Sequence, residues 1–452
     1  MSTIFITISR GSLIRNLFHT GVVSRLIDAG VRVVVLTPYY DQPEVFKYFN
    51  RHNLIIEPLF WKQQERWRGF LTELLKGAVF NSTVHARYRY SIGTPQKPKR
   101  ILYPFRMALF APLRIIPGAK RFIRFLYAAV NPLRAHDYLF LKYKPDLVFN
   151  TASSADCGVL QSAKRFGVRS VDMPKSWDNP SQALFKTKAN HLFVWSPFMK
   201  EQATRLQGYR EHEVSMTGIP QFDFYTQKNI LLSRKEFCEE HGFDPKKKII
   251  LYGSAGGFFC EEAKYVALLK KYIDSGMFAD AQILVRPHLG YKGDAERFSS
   301  VEGMPDIVVD KSDKQNYLLR DNYDTSKEHI SNLFNSLYHA DVCINAASTL
   351  SLDAMACGTP VININFDTEK VGTVGDSIRR LYGDDYLKEL MAMESTWLVN
   401  SEDEFLHSLK NVLEKDGRKD TQKTIDRFIY KLDGKSAERI AEALLEILST
   451  KS

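Results

Sequence analysis

Short, nearly unbroken apolar runs alternate along this chain with longer stretches in which apolar positions recur every three or four residues. The first run, Ile4–Ile8, leads through a polar loop, Ser9–Ser12, into a helical pattern reaching about Ala29 and then a second run, Val31–Leu36. The same rhythm resumes at Leu147–Asn150. It continues through a helix from about Ala155 to Phe166, a strand Arg169–Asp172 and a strand His191–Trp195, punctuated by Pro145-Asp146 and Gly167. Near-continuous apolar strands alternating with helices specify parallel sheets covered on both faces.

Glu213–Asp223 closes this half with a short strand followed by Gly218 and Pro220. A polar stretch, Gln227–Lys248, carries a helix Ser233–His241 and leads to a new first strand, Lys248–Tyr252. The loop Gly253–Gly257, a helix Glu262–Asp274, strands Gln282–Val285 and Asp306–Val309, and a helix Lys327–Tyr338 follow. Asp341–Ile362 then reads as strand Val342–Asn345, a turn of small residues Ala346–Ser348, a helix Thr349–Cys357, a stop at Gly358 and a strand from Pro360. An amphipathic helix, Ser436–Leu448, ends the pattern. The expected organisation is an α/β chain with two Rossmann-type domains, 1–225 and 226–430, their parallel sheets facing across a cleft. A basic insertion occupies 97–144 of the first domain, and a C-terminal helix occupies 431–452.

The length, 452 residues, agrees with two domains, and 44% hydrophobic with 25% charged residues is an ordinary globular composition. Five cysteines, at 157, 238, 260, 343 and 357, show neither CxxC nor Cys/His ligand spacing, so no disulfide framework or zinc site is expected, in keeping with a reducing cytoplasm. The N-terminus passes directly into a strand, leaving no room for a signal peptide, and the longest uncharged stretch, Ala354–Phe366, is too short to span a bilayer. The net charge of +10 is concentrated. Lys97–Lys144 holds eleven Lys or Arg against one acidic residue, Asp137, so this segment alone carries the excess of the whole chain.

Open α/β sheets bind ligands beyond the carboxyl ends of their strands, and three loops of the second half fall there. Ser348 and Thr349 stand where a helix N-cap belongs, with free amide groups and the positive end of the helix dipole available to a phosphate. Asp353, one turn further along that helix, is placed to reach sugar hydroxyls. The glycine-rich loop, with Ser254, Gly256 and Gly257, admits close backbone approach to a ligand. Arg286 and His288 present a guanidinium and an imidazole to phosphate.

The order TGxPxxD, GSAGG, RPH and ADVxIxxxSTxxxDAxxxGTPVI, running from about 215 to 365, resembles the GT-B superfamily of nucleotide-sugar glycosyltransferases. It is most similar to the surface-polysaccharide branches: CDP-glycerol glycerophosphotransferases, CMP-sialic-acid transferases and the related non-hydrolysing UDP-sugar 2-epimerases. The resemblance implies a C-terminal domain that holds a UDP-, CDP- or CMP-linked donor and an N-terminal domain that holds a glycan or lipid-linked acceptor. Gly218, Ser254, Gly256, Gly257, Arg286, His288, Ser348, Thr349 and Asp353 would bind the donor. His288 would also serve the departing phosphate. Two positions depart from the family pattern: the usual HP dipeptide is His288-Leu289, and the usual glutamate is Asp353.

In the first half, Pro174–Pro180 follows a strand and offers Asp178 as general base, Trp177 as a stacking platform and Lys175 beside it. Arg10 and Gly11, with Ser9, Ser12, Arg15 and Asn16 nearby, are acceptor-side candidates; Asp156 and His19 stand in reserve. No DxD motif follows a strand, so the expected reaction is a metal-free displacement with no cofactor beyond the activated donor.

In the basic segment, Phe122, Phe125, Leu126, Ala129 and Leu133 share one helix face, with Lys120, Arg121 and Arg124 elsewhere. Such a helix either packs that face on its domain or lies in an anionic membrane surface, placing a cytoplasmic enzyme on the inner face of the membrane. No nucleic-acid-binding motif accompanies the charge, and nucleic acid is not an expected partner. The expected function is thus a transferase in surface polysaccharide synthesis. The alternatives are a nucleotide-sugar 2-epimerase, whose Gly-Thr-Arg-Pro-Glu-type first loop is here Ser9–Ser12, and a nucleotide-sugar-binding membrane adaptor.

Overall fold

The computed structural model describes the chain except at residues 47, 48, 50, 61–64, 91–102, 154, 155, 260, 313–325, 372–375, 416, 451 and 452. The described strands form two wholly parallel sheets, one in each of two compact units. Among the described residues the first unit takes Met1–Arg89, the chain from 103 to Asp223 and the stretch from Arg427 onward; the second takes Tyr90 and Phe224–Asp426.

The first sheet contains β1 (Thr3–Thr7), β2 (Arg32–Thr37), β3 (Leu54–Pro58), β4 (Leu147–Asn150), β5 (Arg169–Asp172), β6 (His191–Val194) and β7 (Val214–Met216). Their spatial order is β3-β2-β1-β4-β5-β6-β7, so the direction of winding reverses between β1 and β4. β1 and β4 are buried along their whole length, as apolar strands covered on both faces must be. The helix expected to run to Ala29 is broken into a short turn Gly11–Ile14, a π-type turn Arg15–His19 and a helix Val22–Asp28.

The C-terminal helix, Ser436–Ser449, is part of this first unit. Asp223 caps it, accepting from the Ser436 amide at 2.9 Å and the Ala437 amide at 2.8 Å. This satisfies two of the four amides that a helix start leaves without partners. Ala437, Ile440, Ala441 and Leu444 form its buried stripe.

Within the basic segment, prolines break the described chain into a helix Tyr103–Phe110, a 3-10 turn Ala111–Arg114, a helix Ala119–Val130 and a helix Asp137–Tyr143. The inward stripe of helix Ala119–Val130 is Ala119, Ile123 and Tyr127, which joins a core with Leu71, Leu75, Leu133 and Leu206. The face marked out by the sequence pattern is therefore not the packed one: Phe122 and Phe125 are 62% and 69% exposed.

The second sheet contains β8 (Lys248–Gly253), β9 (Ala281–Arg286), β10 (Ile307–Val309), β11 (Val342–Asn345), β12 (Val361–Ile364) and β13 (Trp397–Val399), in the order β10-β9-β8-β11-β12-β13. Here the winding reverses between β8 and β11, and that reversal opens the crevice in which such sheets bind ligands.

Candidate functional site

Gly253 pairs with Arg286 on one side and with Asn345 on the other, so three loops leave the second sheet at the same level. They are the loops singled out by their sequence, and the fold brings them together within one unit.

The loop after β8 is held from beneath. Buried Glu262 accepts from the Ser254 hydroxyl at 2.9 Å and the Ala255 amide at 2.8 Å. Arg297 reaches Glu262 at 3.2 Å and the Gly256 carbonyl at 2.7 Å, and also binds the Phe259 carbonyl and Asp294. Burial pushes the Glu262 carboxyl up to about 7, against the pull of the Ala255 amide, the Ser254 hydroxyl and Arg297. Gly256 has φ of 67°, and a Cβ there would lie 2.2 Å from the Tyr291 ring, so backbone conformation and close packing both demand glycine. The close approach made in this structure is to Tyr291, which continues the loop after β9.

That second loop is tied to the first. Asp294 accepts the His288 amide at 2.7 Å while binding Arg297. The His288 ring is exposed and meets Tyr291 edge-on at 4.9 Å. Its Nδ1 accepts from the Gly290 amide at 3.0 Å, which leaves Nε2 as the N–H position of the neutral ring. Arg286 does not present itself to the crevice as expected. It is buried, with Nη1 2.8 Å from Asp310 Oδ2 and 3.3 Å from Ser336 Oγ. A guanidinium leaving the sheet beside β10 finds the carboxylate at the end of that strand, and the pair is shielded together.

The third loop also differs from expectation. The helix after β11 is short, Leu350–Ala356, and Thr349 caps it without a side-chain hydrogen bond. Most amides around it are already used inside the loop. The Ala347 amide donates to the Tyr382 hydroxyl at 3.1 Å, the Ser348 amide to Asn345 Oδ1 at 3.3 Å and the Leu350 amide to Ser348 Oγ at 3.2 Å. Among the described residues the Thr349 amide is the donor left over. Asp353 is buried and accepts from the Tyr225 hydroxyl at 2.6 Å, so its carboxylate is engaged by protein.

The sequence profile described as "CDP-Glycerol:Poly(glycerophosphate) glycerophosphotransferase" matches residues 157–446, which takes in all three loops. The chain belongs to this family. No curated protein matches it in sequence. Solved structures share its fold across essentially the whole length. The UDP-GlcNAc 2-epimerase of Methanocaldococcus jannaschii is 13% identical over 99% of this chain and 100% of its own, with a TM-score of 0.54. The UDP-GlcNAc 2-epimerase of Neisseria meningitidis, bound to UDP-GlcNAc, is 11% identical over the same shares, also with a TM-score of 0.54. A glycosyltransferase of Rickettsia africae is 12% identical over 100% of this chain and 99% of its own, with a TM-score of 0.50. At such identities the likeness establishes a fold: two Rossmann-like domains of GT-B type, as the resemblance of the motifs implied.

The remaining family members of the expected site lie in the first unit. Gly218, expected among the donor ligands, belongs to the first unit and not to the second sheet. It lies against the C-terminal helix at φ of 81°, and a Cβ there would meet Ser436 Oγ at 2.6 Å and Arg439 Nη2 at 3.0 Å. Trp177 is core, not platform: it is 4% exposed, its Nε1 donates to the Phe428 carbonyl at 2.7 Å, and it packs edge-on against Trp195 at 5.0 Å. Asp178 is half-buried and accepts from Arg87 at 3.0 Å, from Asn179 at 3.2 Å and from Gln182. Three donors thus already occupy this carboxylate. The Lys175 amide donates to Asn179 at 3.0 Å.

At the β1–β4 reversal of the first sheet, Ser9 is buried, Arg10 is half-buried and Gly11 opens the short turn. Ser9 Oγ and Arg10 Nε are buried polar atoms without a hydrogen-bond partner among the described residues. Arg15 binds Asn16 at 3.0 Å and Gln221, and Asp156 is buried. His19 falls in the π-type turn. Of the cations assigned to a membrane, Lys120 donates to the Arg205 carbonyl at 2.9 Å and Arg124 to the carbonyls of Phe185 at 3.0 Å and Gln207 at 2.8 Å. Burial lowers Arg124 to about 10. Arg124 is thus a structural clamp, and Arg121 alone of the three is exposed with no such bond.

Sequence reasoning missed Glu262, Asp294, Arg297 and Tyr291. All four act on the loop from beneath, and their only signal is charge or an aromatic close to a strand end. Asp172, at the end of β5, was read only as strand. It is fully buried with Oδ1 bonded to Asn150 at 2.7 Å, and burial raises its carboxyl to about 7.

Proposed function

We propose that the protein transfers a phosphopolyol, or on the same scaffold a sugar, from a nucleotide-activated donor to a glycan or lipid-linked acceptor of a bacterial surface polymer. A CDP-linked polyol is the first donor to test. The observation that carries this reading is the family match, which runs through the three strand-end loops at the reversal point of the second sheet. For a phosphopolyol, the acceptor hydroxyl oxygen forms a bond to phosphorus, the bond from phosphorus to the CMP oxygen breaks, and the hydroxyl proton passes to a base. His288, with its N–H on Nε2, is set to donate to the departing phosphate, and the Thr349 amide adds a second donor. No step in this scheme uses a metal ion, so turnover is expected to survive EDTA.

The first unit supports work at a membrane surface. No helix among the described residues is long and apolar enough to cross a bilayer. Yet Phe105, Leu109, Ile115, Ile116, Phe122 and Phe125 are all at least half exposed, within the segment that carries the excess cationic charge. Incubation with labelled UDP-, CDP- and CMP-linked donors and a lipid extract tests the reading. Label transferred to lipid or polymer supports it. Donor isomerised without acceptor would establish the epimerase instead, and binding without turnover an adaptor.

A further inference from the structure

Beside helix Ala119–Val130 the first unit has a pocket of about 560 Å³, a size that accommodates a small ligand. Its charged lining is entirely basic. Arg165, Lys186 and Lys188 are each balanced by a carboxylate outside the lining: Asp137 for the first, Glu65 at 2.6 Å for the second and Glu213 at 2.6 Å for the third. Arg121, Arg124 and Lys164 also line it and have no carboxylate partner among the described residues, while Arg134 shares Asp137 with Arg165 through space. Three uncompensated cations around one concavity, with Arg134 beside them, create a strongly positive potential.

Two neutral donors sharpen that field into a site. Gln161 and Thr187 both line the pocket and are only 5% and 4% exposed. Gln161 Oε1 accepts from the Leu133 amide at 3.0 Å, which fixes the side-chain amide; among the described residues neither its Nε2 nor Thr187 Oγ1 has a partner. Buried donors without acceptors are costly and uncommon, so a pair lining a cationic pocket points to an acceptor that arrives from outside. The ligand is accordingly an anion with several oxygen acceptors, of the phosphate-ester kind. The rim indicates its source. Phe125 lines the pocket while 69% exposed, and Phe122, one turn earlier, is 62% exposed, which suits a bilayer interface and not bulk water.

We propose that this pocket holds the phosphate of an anionic lipid headgroup, Gln161 and Thr187 donating to its oxygens while Phe122 and Phe125 enter the interface. The assignment rests on the membrane-surface reading above and deepens it: the protein grips individual headgroups and is not merely attracted by diffuse charge.

The test uses the whole chain and vesicles of phosphatidylcholine, alone or mixed with phosphatidylglycerol. Sedimentation with the mixed vesicles is expected, together with shielding of Lys164, Lys186 and Lys188 from amine acetylation read by mass spectrometry. Thr187→Val combined with Lys164→Ala should weaken sedimentation about tenfold, the loss expected from removing charge-assisted phosphate contacts. Sedimentation with those lysines fully reactive, or undiminished in the double variant, would overturn the pocket and leave membrane attachment standing. Failure to sediment at all would remove the membrane reading itself. Shielding by inorganic phosphate or soluble polyglycerophosphate as effective as that by vesicles would overturn the lipid assignment in favour of a soluble anion.

Discussion

Arg286 and Asp310 face each other at 2.8 Å with almost no solvent around them, and removing either leaves a charge stranded in the protein. Arg286→Ala is therefore expected to cost about 3–5 kcal/mol of stability, and Asp310→Leu added to it should recover part of that loss. Thermal melts of both variants check this; an Arg286→Ala protein that melts like the wild type and loses only donor binding would restore the phosphate role. His288 is the opposite case, exposed and, among the described residues, hydrogen-bonded through its backbone and Nδ1 alone. His288→Ala should lower kcat by about 10²–10⁴-fold with little change in donor affinity, measured by single-turnover kinetics and calorimetry.

Asp172 yields a pH signature. Its folded-state carboxyl is raised from 3.8 to about 7, so the folded chain retains a proton that the unfolded chain releases. Its contribution to stability is complete below the ordinary carboxylate range and is lost as pH rises through about 7, a decline of roughly 4 kcal/mol at most. Asp172→Asn should melt like the wild type at acid pH and higher than it at pH 8; parallel melting curves across that range would contradict the burial argument.

The C-terminal helix depends on Asp223, and the depth of its docking depends on Gly218. Asp223→Ala should cost about 1–2 kcal/mol through loss of the cap, and Gly218→Ala about 1–3 kcal/mol through strain at positive φ and contact with Ser436. Both should leave nucleotide affinity unchanged by calorimetry, whereas a donor-binding Gly218 would show the reverse. Much of this architecture was legible beforehand. Leu147–Asn150, Arg169–Asp172 and Val342–Asn345 fall on β4, β5 and β11, because strands buried on both faces leave an unbroken apolar signal. β3 and β13 went unread: Leu54–Pro58 is only half-buried, Trp397–Val399 is three residues long, and both lie at sheet edges. Of the two roles open to the Phe122–Phe125 face of helix Ala119–Val130, packing on the domain falls instead to Ala119, Ile123 and Tyr127, a stripe that the pattern did not single out. The site was legible as far as backbone signals go. Glycines and small residues after strands marked three loops that leave the second sheet at one level. What a side chain meets across the fold, Asp310 for Arg286 or the Phe428 carbonyl for Trp177, leaves no trace in local spacing.

Two parallel sheets of GT-B type, membership in the glycerophosphotransferase family, and three loops at one reversal point support the proposal that the donor binds the second unit. The loop after β8 is braced by Glu262 and Arg297, so the site is built largely before a ligand arrives. Hydrogen exchange read by mass spectrometry, with and without CDP-glycerol, tests this claim most directly. The account predicts slowed exchange in peptides covering 253–259, 286–291 and 346–353, with the first unit unchanged apart from any acceptor contacts. Protection confined to peptides of the first unit, with those three loops exchanging as freely as before, would contradict it.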